Sequence, residues 1–361
     1  MNTKTSIGII GCGNISSVYF KAPRLFNFLE VVACADIDMK RASSQAEKYG
    51  VPKACTVEEL LADPEIEIVI NLTIPNAHAE VALQAIAAGK AVYGEKPFAT
   101  RRADGKAILE AARAKQVRIG NAPDTFLGGG FQTCIKLIND GQIGKPIAAT
   151  AFMLNHGMEN WHPDPYFFYQ PGAGPMFDVG PYYLTALIAM MGPIQRVTSS
   201  MQMTFPERIV TSEPKYGTKI PVNTPTHIAG IMEFASGAVG TILTSFDVWH
   251  QRLPFIEIYG TEGTLSTPDP NHFDGPVYIR RAKDETWREI PLTHGYTSNA
   301  RGIGIADMAH AMRSDRLQRA NGEMAYHVLD IIESFMQSAT ERRHITLTST
   351  CTRPEPLNQG V

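Results

Sequence analysis

Three short stretches of this sequence carry side chains whose types and spacing can do chemistry. In Ala91-Val92-Tyr93-Gly94-Glu95-Lys96-Pro97, a carboxylate, an amine and a proline follow one another at the end of a small apolar run. An ammonium beside a reacting oxygen stabilises a developing alkoxide, and partial desolvation brings an amine's pKa down toward working pH. Lys96 is therefore a candidate acid/base. In Gly11-Cys12-Gly13-Asn14-Ile15-Ser16 the glycines let the backbone approach a pyrophosphate, whose charge then rests on a helix N-terminus. Asp178 and Tyr182 stand four residues apart, and on one helical face such side chains are neighbours that can converge on one substrate carbon. Each stretch also admits a plainer role: a surface ion pair at a turn, a helix cap at Asp178, and core packing at Tyr182 or its neighbour Tyr183.

These side chains need elements to hold them. Ala91 to Gly94 is short, apolar and bounded by breakers, which suits a strand of a buried parallel sheet. Glu95 and Lys96 then fall at its carboxyl end, where open α/β sheets place their ligands, and Pro97 keeps Lys96 out of helical geometry. Ser6 to Ile10 is a comparable run leading into Gly11. Val31 to Asp36 reads as a second strand ending in an acid, 25 residues after Gly11. That acid can accept hydrogen bonds from an adenosine ribose 2′-OH and repels a 2′-phosphate, so NAD is expected over NADP. Lys40 and Arg41 keep NADP open, and Asp38 is available to cap the next helix. Thr56 and Glu59 form a capping box. Glu67 to Thr73 is a further buried strand, followed by Ile74-Pro75-Asn76-Ala77-His78 and a helix with one apolar face ending at Gly89. Arg118 to Asn121 closes the series as a last strand.

Composition sets the wider bounds. A chain of 361 residues is too long for one ordinary core, so two domains are expected. With 44% apolar residues, 19% charged residues and a net charge of −3, there is no electrostatic case for nucleic acid or membrane. The N-terminus lacks the profile of a signal peptide. Cys12, Cys34, Cys55, Cys134 and Cys351 are scattered and lack CxxC spacing, which fits buried thiols in a reducing, cytoplasmic compartment rather than disulfides or zinc. Histidines and acids show no metal-ligand spacing, and no metal is expected.

Downstream, Gln132 to Asp140 reads as a helix and Ile147 to Leu154 as the first of a series of strands. Val197–Phe205, His227–Phe234, Ala238–Phe246, Phe255–Tyr259, Thr264–Ser266, Val277–Arg281 and Trp287–Ile290 continue it, and two helices follow (Ile305–Met312, Glu323–Thr340). Phe205 to Thr226, with four prolines, reads as a loop-rich excursion from the sheet. His156, Trp161 and His162 cluster in a Gly/Pro-bounded loop ahead of Asp178 and are candidates for a sugar-binding lip.

Gly11-x-Gly13-Asn14-Ile15, Asp36, Thr73-x-Pro75-Asn76-x-x-Ala79 with His78 inside it, and Glu95-Lys96-Pro97 together resemble the Gfo/Idh/MocA oxidoreductase family. The likeness runs over nearly the whole chain, because Gly260-Thr261-Glu262-Gly263 and the Asp178 segment match too. It implies an α/β protein: an N-terminal Rossmann domain with a doubly wound parallel sheet over residues 1–125, then an α+β domain with a large, open, mainly antiparallel sheet over 126–345, and a tail at 346–361. The family's Asp-x-Gly-x-His segment is Asp178-x-Gly180-x-Tyr182 here, as in the glucose–fructose oxidoreductase branch, which moves proton transfer to a tyrosine hydroxyl or to Lys96. Asp124 stands close to a place where many relatives carry arginine, and substrate contact is the role it could take.

The resemblance implies cofactor contacts from Gly11, Gly13, Asn14, Ile15, Asp36, Ile37, Thr73, Pro75, Asn76, His78, Glu95 and Lys96, and catalysis by Lys96, Asp178 and Tyr182. Asp124, His156, Trp161 and His162 are the substrate-side candidates. The expected activity is NAD-dependent hydride transfer at a secondary hydroxyl or carbonyl of a sugar, sugar derivative or cyclitol. Two alternatives share the fold: a glycoside hydrolase using NAD for transient oxidation, and a non-catalytic dinucleotide-sensing regulator. An open sheet face also implies a homodimer or homotetramer.

Overall fold

The computed structural model describes residues 4–314 and 316–358. The chain gathers into two compact units. One comprises the chain up to Leu127 together with Asn299–Leu329, and the other comprises Gly128–Ser298 and the chain from Asp330 onward. Asn299–Leu329 returns to the first, where Asn121 N–H donates to the Ala320 carbonyl at 3.1 Å. The C-terminal stretch packs with the second, with Leu357 N–H on Gln132 Oε1 at 2.7 Å.

The first unit alternates strand and helix: β1 (Thr5–Ile10), α1 (Ser16–Leu25), β2 (Leu29–Ala35), α2 (Met39–Tyr49), β3 (Lys53–Cys55), α3 (Val57–Ala62), β4 (Ile68–Asn71), α4 (His78–Ala87), β5 (Ala91–Gly94), α5 (Arg102–Lys115) and β6 (Ile119–Asn121). All six strands are parallel, in the order β3-β2-β1-β4-β5-β6. The order reverses between β1 and β4, the switch point at which a doubly wound sheet binds its ligand. The apolar runs form such strands because both faces are covered: every residue of β4 is buried, as is every residue of β5 except Gly94. Asp38 caps α2 by accepting from Lys40 N–H, and the Thr56–Glu59 capping box opens α3. Both ends are as expected from the sequence.

The second unit begins with α6 (Gly129–Asn139), β7 (Pro146–Leu154), α7 (Gly174–Asp178), α8 (Gly180–Met191) and β8 (Ile194–Gln202). It continues through β9 (Glu207–Ile209), β10 (Lys219–Pro221), β11 (His227–Phe234), β12 (Val239–Ser245), β13 (Ile256–Gly260), β14 (Gly263–Ser266), β15 (Val277–Arg281) and β16 (Arg288–Ile290). α9 (Ile303–Ser314) belongs to the first unit, and α10 (Gly322–Glu341) and β17 (Ile345–Thr346) end the regular structure. Among the described residues, nine strands form one sheet in the order β16-β15-β14-β13-β7-β12-β11-β8-β17. All its pairings are antiparallel except β7 with β12. One face is covered by helices. Phe335 of α10 packs so closely on β11 that a Cβ at Gly230 would lie 2.4 Å from its ring. On the other face Ile231 and Val239 stay 45% and 48% exposed.

The expected excursion between β8 and β11 is more ordered than its prolines suggest. β9 and β10 pair antiparallel, Lys219 with Ile209 and Pro221 with Glu207. β10 buries Ile220 between exposed Lys219 and Pro221, as hydropathy expects, whereas in β9 Arg208 is buried while Ile209 is exposed.

Candidate active site

The dinucleotide features lie together at the carboxyl ends of β1, β2 and β4. Gly11 has φ = +98°, and a Cβ there would sit 2.6 Å from the Leu72 carbonyl, so only glycine fits. Around Gly13 nothing lies within 4 Å of a built Cβ, which leaves bare backbone facing open space. Ser16, in the third position of the motif, is fully buried and donates its hydroxyl to the Gly13 carbonyl at 2.6 Å. α1 starts without a side-chain cap or an acidic residue in its first turn, which suits an anion at its N-terminus. Asp36 ties the loop to β2: one carboxylate oxygen accepts from Cys12 N–H at 2.8 Å, the other from Asp38 N–H at 2.9 Å and from Arg41 at 3.4 Å. Ile15, Ile37 and Ile74 are 38%, 99% and 70% exposed at this end of the sheet, and Asn14 and Asn76 are exposed with them. Backbone bared for a pyrophosphate, a carboxylate for a ribose and an apolar rim for an adenine form a set that fits NAD.

Lys96 stands at the end of β5 on a backbone held from several directions. β5 lies between β4 and β6, and a Cβ at Gly94 would meet Asn121 Oδ1 at 2.6 Å. Glu95 N–H donates to the Asn71 carbonyl at 2.9 Å. The Glu95 carboxylate accepts from Lys96 N–H at 2.9 Å and from the Tyr19 hydroxyl at 2.6 Å. Burial, then Glu95, pushes the Tyr19 phenol well up, so it remains a donor. The Lys96 side chain itself is half-buried.

His78 is 3% exposed, with Nδ1 2.7 Å from the Pro97 carbonyl and Nε2 3.0 Å from the Thr73 carbonyl. Its ring braces Thr73 against the Lys96-Pro97 turn. Burial lowers its pKa, against the pull of the two carbonyls. Asp124 is also turned inward. At 1% exposure, its Oδ2 accepts from Gly302 N–H at 2.9 Å and Gly304 N–H at 3.0 Å, at the start of α9. The carboxylate thereby anchors the start of α9.

In the second unit, Asp178 is the last residue of α7 and does not start a helix. Val179 interrupts the helical run, and α8 begins at Gly180 without a side-chain cap. α8 is apolar nearly all round, and every one of its residues except Tyr182 is buried. The first four residues of α7 are likewise buried and Asp178 is not. The pair thus marks the opening in an otherwise sunken helical segment, while Tyr183, 2% exposed with its phenol pushed up by burial, is core.

A cavity of about 850 Å3, lined entirely by residues of the second unit, takes in His156 and Trp161. It also takes in Arg208, Phe205, Glu159 and Trp249, which sequence reasoning did not single out. His156 stacks on Trp249 with ring centroids 3.4 Å apart, and burial followed by the neighbouring Arg208 lowers its pKa. Arg208, 4% exposed, donates to Glu159 at 2.9 Å and to the Phe246 carbonyl at 2.6 Å, and pairs with Asp247. Tyr169 donates to the other oxygen of Glu159. His162 lies outside this lining: its Nδ1 accepts from Asp164 N–H at 3.0 Å and its ring meets Phe168 edge-on at 5.2 Å. Of the expected lip, His156 and Trp161 face the cavity and His162 is drawn into an aromatic cluster.

Residues 5–122 match the family model of an oxidoreductase family with an NAD-binding Rossmann fold, and residues 131–266 match the GFO/IDH/MocA C-terminal domain. An oxidoreductase of Schizosaccharomyces pombe is 27% identical over 233 residues, 60% of this chain and 62% of its own length, so less than two thirds of that relative is spanned. A 1,5-anhydro-D-fructose reductase of Ensifer adhaerens is 27% identical over 296 residues, covering 79% of this chain and 82% of that one. A structure of levoglucosan dehydrogenase in complex with NADH and levoglucosan shares the fold, with a TM-score of 0.82 at 21% identity over 95% of this chain and 99% of that one.

Proposed function

This chain belongs to the Gfo/Idh/MocA oxidoreductase family, and on that premise we propose that it is an NAD-dependent dehydrogenase of a sugar, sugar derivative or cyclitol. It would move hydride between nicotinamide and a secondary hydroxyl or carbonyl. The observation that carries this reading is the Lys96 turn, whose backbone is locked by Glu95, β4, β6 and His78 while the amine stands at a strand end of a dinucleotide-binding sheet. Such rigidity suits a group that must meet one reacting oxygen.

Bound NAD supplies the hydride acceptor. Lys96 takes the hydroxyl proton or stabilises the developing alkoxide through its ammonium. Glu95 holds the Lys96 backbone, and Asp178 orients the substrate hydroxyl. Tyr182 donates or relays the proton, a role supported by its being the open residue of a buried helix. Gly11, Gly13, Asn14 and Ile15 hold the pyrophosphate and Asp36 with Ile37 the adenosine, while Thr73, Pro75 and Asn76 line the way to Lys96. His156 and Trp161 bind substrate. The chain up to residue 125 serves the cofactor and residues 126–345 serve the substrate.

The exposed Ile231 and Val239 on the uncovered sheet face support burial against a second copy, as a dimer or tetramer. Five free cysteines support a reducing, cytoplasmic setting. Among the described residues no helix is long and apolar enough to cross a membrane.

The test is NADH absorbance with a panel of aldoses, 1,5-anhydro sugars, inositols and glycosides. NADH formation with at least one polyol is expected. Conversion of a glycoside without added NAD and without net NADH would instead identify a redox-neutral hydrolase.

A further inference from the structure

The cavity of the second unit has a construction that speaks to the size and charge of the substrate. Its walls come from the segments that succeed β7 and β12 in the chain, together with β9. At about 850 Å3 it lies in the upper part of the roughly 300–1,000 Å3 span of small-molecule sites, more than one pyranose fills. Trp161 and Trp249 line it while 62% and 70% exposed, Trp249 with one face stacked on His156. Indole faces match the CH-rich faces of pyranose rings, and Asn155, Asn160, Thr211 and Gln251 add polar side chains to the lining.

The charges argue as strongly as the shape. Arg208 is the cation of the lining, and it is spent on two carboxylates, Glu159 and Asp247. Glu207 at the rim pairs with Lys219 at 2.6 Å. Burial, then Arg208, holds the His156 pKa below its ordinary value, which favours the neutral ring. A phosphate or carboxylate on a sugar would find this environment unwelcoming.

We infer that the cavity binds a neutral saccharide larger than one ring, so that the substrate class is a neutral glycoside or disaccharide rather than a phosphorylated sugar or sugar acid. The turnover part of this inference rests on the dehydrogenase reading above; binding to the cavity does not. Arg208 is the positioning residue of the cavity, joining the segments that carry Glu159, Phe205 and Asp247.

The experiment titrates the full chain, with and without NAD, with maltose, cellobiose, methyl glucoside, glucose, glucose 6-phosphate and glucuronate. Tryptophan fluorescence and calorimetry are followed together. At least one neutral disaccharide or glycoside should bind tenfold or more tightly than glucose and than either anionic sugar. Trp249→Ala and Trp161→Ala should each weaken that binding at least tenfold, Trp249→Phe should restore much of it, and Trp287→Phe should leave it unchanged. No heat or quench from any neutral two-ring probe, unaltered binding in Trp249→Ala, or tightest binding of glucose 6-phosphate would each overturn the inference. NADH formation in the same samples separates the two readings. Monosaccharide oxidation without disaccharide binding refutes the cavity's binding role alone, and Trp249-dependent binding with no NADH from any sugar refutes the dehydrogenase alone.

Discussion

Replacing Asp124 by alanine removes the acceptor that holds the start of α9. Its Oδ2 takes two backbone N–H groups, from Gly302 at 2.9 Å and Gly304 at 3.0 Å, at a site only 1% exposed, so water cannot substitute. Each buried donor left unpaired costs about 1–3 kcal/mol. Relief of the carboxyl's own burial returns part of this, since burial is what raises its pKa against the pull of Gly304 and Gly302. A net loss of about 3 kcal/mol is expected, within the range spanned by lost caps and orphaned donors. For a unit of this size that corresponds to a Tm lower by about 6–12 °C. Asp124→Asn, which keeps one acceptor oxygen, should fall between. Calorimetry reads the transition, and steady-state kinetics on the folded protein reads KM, which should stay within about twofold because the carboxylate is buried and turned onto Gly302 and Gly304. An unchanged Tm with a large rise in KM would refute this reasoning and return Asp124 to the substrate.

Arg208→Met should destabilise the second unit by about 3–5 kcal/mol in urea titration, because Glu159 and Asp247 would remain buried without their cation; a loss under about 1 kcal/mol would show that water solvates the pair. Asp36→Ala should cut the NAD-over-NADP ratio of kcat/KM at least tenfold by freeing Arg41, and an unchanged ratio would mean that neither group reads the ribose. His78 is held below its ordinary value by burial, so its contribution to stability is complete above about pH 6.5 and declines as pH falls from there toward the folded pKa. His78→Gln should flatten that part of the Tm-against-pH curve, and an unchanged slope would place the acid loss elsewhere; the raised Asp124 carboxyl acts in the opposite sense, favouring the fold as pH falls toward its unfolded value.

What was legible in the sequence was whatever rests on local pattern. Ala91–Gly94 is bounded as its flanking breakers indicate, because a short apolar run between Lys90 and Glu95 has nowhere to go but a covered sheet. Gly11 was legible because its positive φ and close approach to Leu72 leave one residue type possible. What was not legible has a different cause: polar side chains whose partners lie far along the chain. Asp124 meets Gly302 and Gly304, and Arg208 meets Glu159 and Asp247, at separations no periodicity encodes. Arg208 was further hidden by standing where alternation calls for an apolar residue, with Ile209 outward in its place. Trp249 gave no signal beyond its type, and its significance comes from stacking on His156. Spacing suggested one helical face for Asp178 and Tyr182, whereas the interruption at Val179 divides them between two helices.

The most direct test of the central claim is kcat for Lys96→Ala, with NAD binding measured by calorimetry on the same protein. The Lys96 backbone is held by Glu95 and its neighbours whatever side chain it bears, so the fold and NAD affinity should persist. Loss of one preorganised ammonium should cost roughly 2–4 kcal/mol of transition-state stabilisation, a fall of about 30- to 1,000-fold in kcat. Tyr182→Phe should cost less if lysine is the principal acid/base, and comparably if the proton passes through tyrosine. Near-full kcat in Lys96→Ala with NAD binding intact would contradict the account and place the chemistry away from this turn.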